Sequence, residues 1–145
     1  MEVYTIGFTQ RRAADFFGAL RGVGIRRLVD VRLNNSSQLA GFTKREDLPF
    51  FLQEICDAEY FHEPLLAPAE EIFTAYKKQR GSWDDYQRAF LALLAERKVE
   101  EQLDPELFAK PTVLLCSETT ADRCHRRLVL EYLQEKWGGL TITHL

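Results

Sequence analysis

The sequence predicts a three-layer α/β fold: a mainly parallel five-stranded sheet with Rossmann-like winding, built as a single domain over residues 1–145. Three observations predict it. Leu28-Val29-Asp30-Val31 and Thr112-Val113-Leu114-Leu115-Cys116 are nearly continuous apolar runs, as suits strands buried on both faces. Between the strand-like runs, apolar residues recur at helical spacing. A chain of 145 residues, 46% hydrophobic, is also long enough to bury a core without a disulfide or metal staple.

Val3-Tyr4-Thr5-Ile6 is a β-branched and aromatic strand closed by Gly7. Phe16, Phe17, Leu20 and Val23 then mark a helix, with Thr9 placed to cap it and Gly22 and Gly24 to end it. After the Leu28–Val31 strand, residues 32–42 are polar loop. Thr43 and Glu46 form a capping-box pattern ahead of Leu48, Leu52 and Ile55, although Pro49 limits how far upstream that helix is regular. Tyr60-Phe61 is a weak third strand. The segment from Pro64 to Pro105 is helical. Glu70 and Glu71 open a helix carrying Ile72, Phe73 and Tyr76, and Ser82 with Asp85 caps the next, which carries Tyr86, Phe90, Leu93 and Leu94. Beyond the fourth strand and the turn 117–122, a helix runs from about Cys124 to Trp137. Leu128, Val129, Tyr132 and Leu133 face inward, Gly138 and Gly139 stop it, and Thr141-Ile142-Thr143 is the last strand.

Composition narrows function. With 19 basic and 22 acidic residues the net charge is −3, which counts against sequence-independent binding to nucleic acid through many phosphate contacts. No run approaches the about 20 apolar residues of a membrane span, and Met1-Glu-Val-Tyr-Thr lacks the basic and apolar regions of a signal peptide. A cytoplasmic protein without a membrane partner is expected. Three cysteines, an odd and sparse number, fit thiols kept reduced in a cell.

In this fold ligands bind beyond the carboxyl ends of the strands, where the winding reverses. With a strand order of 3-2-1-4-5, strands one and four flank that point. Gly7, Thr9, Arg32 and Asn34 then become candidates for binding a small anionic or nucleotide-like ligand, and Cys116, Glu118, Cys124 and His125 for catalysis. Cys124 stands at a predicted helix N-terminus beside His125 and three arginines, surroundings that favour a thiolate. Arg126 and the free amides of that helix end are a further anion site, and Glu118 either transfers protons or orients Arg126.

Tyr4-Thr5-Ile6-Gly7, Val29-Asp30-Val31-Arg32, Cys116-x-Glu118 and Cys124-His125-Arg126 together resemble an uncharacterised family, the domain of unknown function 488, over nearly the whole chain and in the expected order. The resemblance implies a small α/β domain with an active site whose reaction is not established. Many relatives have a proline near position 34, where Asn34-Asn35 stands here, and a glycine-containing loop where this chain has Leu65-Leu66-Ala67-Pro68. These departures suggest a sub-branch with its own substrate.

Rival chemistries fit less well. A cysteine phosphatase loop separates its Cys and Arg by five residues, whereas six separate Cys116 from Arg123. Cys116, Cys124, His125 and Glu118 are metal-ligand types, but there is no CxxC pair and adjacent residues seldom aim at one point, so no metal is expected. No nucleophile-elbow, dinucleotide or P-loop fingerprint occurs, and no cofactor is expected. The alternative from another class is a non-catalytic nucleic-acid-binding module that stacks bases on Trp83, Tyr86 or Phe42. His62 and His144 read as structural histidines and Cys56 as inert. Cys116 and Cys124 flank one loop, so a reversible disulfide between them requires Cα atoms within about 7 Å.

Overall fold

The computed structural model describes residues 1–35, 41–118 and 121–145. Strands β1 (Glu2–Gly7), β2 (Arg27–Asp30), β3 (Glu59–His62), β4 (Thr112–Cys116) and β5 (Thr141–His144) form one all-parallel sheet in the order β3-β2-β4-β1-β5. The order 3-2-1-4-5 is therefore corrected: β4 lies between β1 and β2. All five residues of β4 are buried, while the edge strands β3 and β5 are largely exposed. The strand able to bury both faces takes the centre.

Alternation along the strands divides the core in two. Ile6, Leu28, Val113 and Leu115 face α1 (Ala13–Gly22), the short α2 (Leu48–Phe51) and the π turn Leu52–Cys56, packing on Phe16, Phe17, Leu20, Leu48 and Leu52. Val3, Val29, Leu114 and Cys116 face the other layer, α3 (Glu70–Lys77), α4 (Trp83–Glu96), α5 (Val99–Gln102) and α6 (His125–Trp137), packing on Phe90, Leu94, Leu128, Val129 and Leu133. Connections from β1 and β2 leave toward the first layer and those from β3 and β4 toward the second. Because β4 sits between β1 and β2, a crevice opens where neighbouring loops diverge. Among the described residues no helix is long and apolar enough to cross a membrane.

Two expected caps differ. Thr9 does not cap α1, whose N-cap is Arg12 with no side-chain cap bond; its amide and hydroxyl both donate to the Ser117 carbonyl, tying the β1 loop to the β4 loop. The Thr43–Glu46 box does not form either. Thr43 ends a 3-10 turn, Gly41–Thr43, and its carbonyl is held by Arg32, while α2 begins at Leu48 with Pro49 in the first turn, where a missing amide proton costs nothing. Ser82 caps α4 by accepting the Asp85 amide at 3.1 Å, as the sequence predicts.

A buried ion pair fixes the end of β2. Asp30 Oδ1 accepts from Arg32 N and Nε at 3.1 and 2.8 Å, and Oδ2 from Arg32 Nη2 at 2.8 Å and Tyr60 Oη at 2.6 Å. Burial and the Asp30 carboxylate push the Tyr60 phenol up to about 12, so it stays a donor. Asp30→Ala strands the Arg32 charge and is expected to cost about 3–5 kcal/mol. Tyr60→Phe removes one hydrogen bond to a charged acceptor and is expected to cost about 1.5–3 kcal/mol. Urea midpoints of the two variants check this; equal losses would contradict it.

Candidate active site

Gly7 and Cys116 are register partners on β1 and β4, at the carboxyl end of the sheet. Both belong to the face covered by α6. With no side chain on Gly7, that face has a hole, and the Arg126 guanidinium and Glu118 backbone fill it. A Cβ on Gly7 would lie 1.5 Å from the Glu118 carbonyl oxygen and 2.7 Å from Arg126 Nη1. Arg126 is 0% exposed. Its Nη1 donates to Cys116 Sγ at 3.1 Å and to the Glu118 carbonyl at 2.7 Å, while its buried Nε and Nη2 have no partner among the described residues. Burial first, then the Arg11 charge, pulls its pKa down to about 10, with Glu118 opposing. A cation held this way supplies a charge-assisted donor to the Cys116 sulfur.

Cys124 is the N-cap of α6, in extended conformation (φ −132°, ψ 141°), and His125 is the first helical residue. Because the N-cap lies off the helical repeat, these adjacent side chains aim at the same place, which a helical spacing would forbid. His125 Nε2 sits 2.6 Å from the Val31 carbonyl, so this nitrogen carries the proton and Nδ1 presents its lone pair 3.9 Å from Cys124 Sγ. Burial lowers the His125 pKa to about 4, against the Val31 hydrogen bond, and the ring is neutral at physiological pH. The structure pairs Cys116 and Cys124 as a disulfide, with Cα atoms 7.7 Å apart. The expected pairing of these two cysteines is therefore present, at a Cα separation wider than the about 7 Å expected for it.

Two cavities adjoin this cluster. One, about 20 Å³, is lined by Cys116, Glu118, Cys124 and His125 together with Tyr76, Lys77 and Arg123. The larger, about 180 Å³, is lined by Phe8, Thr9, Arg32, Asn34, Phe73 and Pro68. Ser117, Phe73 and His125 border both. Among the described residues lining the crevice, Arg32, Lys77 and Arg123 are cationic; Asp30 pairs with Arg32 and Glu118 with Lys77. Its polar wall comes from Thr9, Asn34 and Ser117.

The expected residues take different stations. Cys116, Cys124, His125 and Arg126 converge above the α6 face. Glu118 pairs with Lys77 at 2.5 Å through its carboxylate and reaches Arg126 only through its carbonyl. Arg32 borders the crevice, but on the α1 side, its fork engaged by Asp30 and its guanidinium 5.3 Å from the Phe8 ring centroid. Lys77, Phe73, Pro68 and Arg123 escaped the sequence reading. Nothing in one dimension brings position 77 to position 118.

The stacking candidates do not form an open platform. Tyr86 is buried, Trp83 stacks on it at 5.3 Å, and Phe42 packs against Phe16 and Phe17. His62 meets the Arg32 carbonyl and His144 the Thr5 hydroxyl, as structural histidines do. The Cys56 thiol is pushed up by burial.

Over residues 12–133 the chain matches the family model described as Domain of unknown function DUF488, and it belongs to that family. No curated protein and no solved structure matches it.

Two substitutions separate the buried from the exposed part of the site. Gly7→Ala forces the Glu118 carbonyl and Arg126 away from β1 and is expected to cost about 1–3 kcal/mol or more, as overpacking does. Glu118→Gln touches only the part-exposed pair with Lys77 and is expected to cost under about 1 kcal/mol. Thermal denaturation distinguishes them; a larger loss in Glu118→Gln would mean that its carboxylate, not its carbonyl, holds Arg126.

Proposed function

For this member of the family of unknown function, we propose an enzyme that acts on a small anionic or nucleotide-like substrate, with Cys124 as nucleophile and His125 as its base. The observation that carries the reading is the line from Cys124 Sγ to His125 Nδ1, 3.9 Å, and from His125 Nε2 to the Val31 carbonyl, 2.6 Å. A thiol, an imidazole within reach of it and a third group that orients the imidazole are the parts of an activated nucleophile, whose contacts are often long before substrate binds. In the reduced protein His125 Nδ1 takes the thiol proton as the sulfur electron pair attacks the electrophilic centre of the substrate; the leaving group departs with the electron pair of its broken bond and receives that proton from His125. The α6 amides and Arg126 stabilise the negative charge on sulfur.

The crevice supports an anion as substrate. Arg32, Lys77 and Arg123 border the two cavities; Asp30 engages Arg32 and Glu118 engages Lys77, so the positive excess that supports an anion comes from Arg123 and the neighbouring Arg126. A volume of about 180 Å³ lies below the roughly 300 Å³ at which drug-sized pockets begin, which favours a small molecule or one end of a nucleotide. A nucleic-acid module gains little: its stacking residues are buried or covered, and the charge balance is acidic.

The test is iodoacetamide labelling of reduced, chelator-treated protein at neutral pH, mapped by mass spectrometry, beside thermal shift with orthophosphate, small carboxylates and nucleoside monophosphates. Cys124 is expected to label faster than Cys56, His125→Ala to slow it at least about tenfold, and a bound anion at 100 times its dissociation constant to stabilise by about 2.7 kcal/mol. Labelling of Cys124 no faster than Cys56, with no shift from any anion, would overturn the proposal.

A further inference from the structure

We propose that in the reduced protein Cys116, Cys124 and His125 bind one thiophilic cation of the Zn²⁺ class, and that the bound ion caps the Cys124 nucleophile. The ligand atoms, two Sγ and His125 Nδ1, lie within 4.8 Å of one another, and both cysteines are buried. Around a tetrahedral ion with Zn–S near 2.3 Å and Zn–N near 2.0–2.1 Å, such atoms stand about 3.5–3.8 Å apart. The 3.9 Å between Cys124 Sγ and His125 Nδ1 is already close to that edge. The structure joins the two sulfurs as a disulfide; with their Cα atoms 7.7 Å apart, reduction lets the sulfurs part to the tetrahedral edge and admit one ion. The about 20 Å³ cavity beside them exceeds the roughly 10–15 Å³ that one water-sized sphere requires.

The surroundings match what metal sites place outside their ligands. His125 gives its other ring proton to the Val31 carbonyl at 2.6 Å, which fixes Nδ1 as the ligating nitrogen. Arg126 Nη1 donates to Cys116 Sγ at 3.1 Å, as donors commonly do to a ligating thiolate. Two thiols lose their protons on binding, so two thiolates neutralise a divalent ion and the buried Arg126 remains the only net charge among these groups. Three protein ligands leave a fourth position open to the crevice, where a water or an anion completes the tetrahedron. Adjacent residues seldom aim at one point, but Cys124 and His125 do so because Cys124 is an N-cap in extended conformation.

Metal binding stands on the ligand geometry, and only its capping effect rests on the proposed nucleophile. The test starts from reduced, chelator-treated protein whose three thiols have been counted. Titration with Co²⁺ is expected to saturate at one ion per chain, with thiolate-to-cobalt charge-transfer absorption that Zn²⁺ abolishes. Cys116→Ser and Cys124→Ser each remove about half of that absorption, His125→Ala weakens binding at least about tenfold, and Cys56→Ser changes neither. One equivalent of Zn²⁺ is expected to slow iodoacetamide labelling of Cys124 at least about tenfold, reversed by chelator. Absence of a saturable cobalt spectrum in the thiol-competent protein, or one lost in Cys56→Ser, overturns the metal site even where Cys124 labels fast. A cobalt spectrum in a protein whose Cys124 never labels fast upholds the site and defeats the nucleophile.

Discussion

A guanidinium buried without a carboxylate is the constraint on which the reactive end of this molecule depends. Arg126 occupies the hole left by Gly7, and the hole exists only because β1 and β4 are neighbours with Gly7 opposite Cys116. The same contact fixes the start of α6, because Arg126 is its second residue. Once Arg126 is anchored, Cys124 and His125 have little freedom. The N-cap conformation turns the Cys124 sulfur toward Cys116, and the Val31 carbonyl at the end of β2 catches the His125 ring. Three strands thus each contribute one backbone or side-chain feature to a cluster whose reactive atoms come mostly from one helix end.

The strand order makes this possible. With β4 between β2 and β1, the Val31 carbonyl, Cys116 and Gly7 all come to lie at one end of three adjacent strands. A sheet with β1 between β2 and β4 would separate Val31 from α6 by one more strand, about 4.8 Å. The His125 ring, held at 2.6 Å, has no such slack. The paired loops matter as well, since Thr9 binds the Ser117 carbonyl and so locks the β1 and β4 exits together. On the opposite side of the sheet, the Asp30–Arg32–Tyr60 network holds the β2 exit rigid without contributing to the sulfur cluster.

Much of this was legible in one dimension, and the misses have physical causes. The β4 run, the Ser82 cap and the inward face of α6 follow from local chemistry, which a sequence states directly. Strand order does not, because 3-2-1-4-5 and 3-2-4-1-5 bury the same runs and differ only in which strand takes the centre. Arg32 looked like an anion anchor because Asp30, two residues away on the same side of a strand, was not weighed as its partner. The sequence leaves Glu118 either to transfer protons or to orient Arg126. The fold joins them through the Glu118 carbonyl and gives the carboxylate to Lys77, a contact across 41 residues that no local pattern encodes.

The opening of α6 is the clearest local conflict in the chain. Its first turn reads His-Arg-Arg and contains no acidic residue, so two cations stand at the positive end of the helix dipole. The other well-formed helices obey the rule: α3 opens on Glu70 and Glu71, and α4 on Asp84 and Asp85. Packing cannot justify the exception, since Arg126 is buried with two donor nitrogens unmatched among the described residues. Such an arrangement is stable in isolation only at a cost, which negative charge at the same point offsets. Cys116 Sγ lies 3.1 Å from Arg126 Nη1, and under the proposed chemistry a reduced Cys116 or Cys124 would supply that charge as a thiolate. The electrostatics of the α6 start and the chemistry proposed for Cys116 and Cys124 therefore share one requirement, a negative charge beside Arg126.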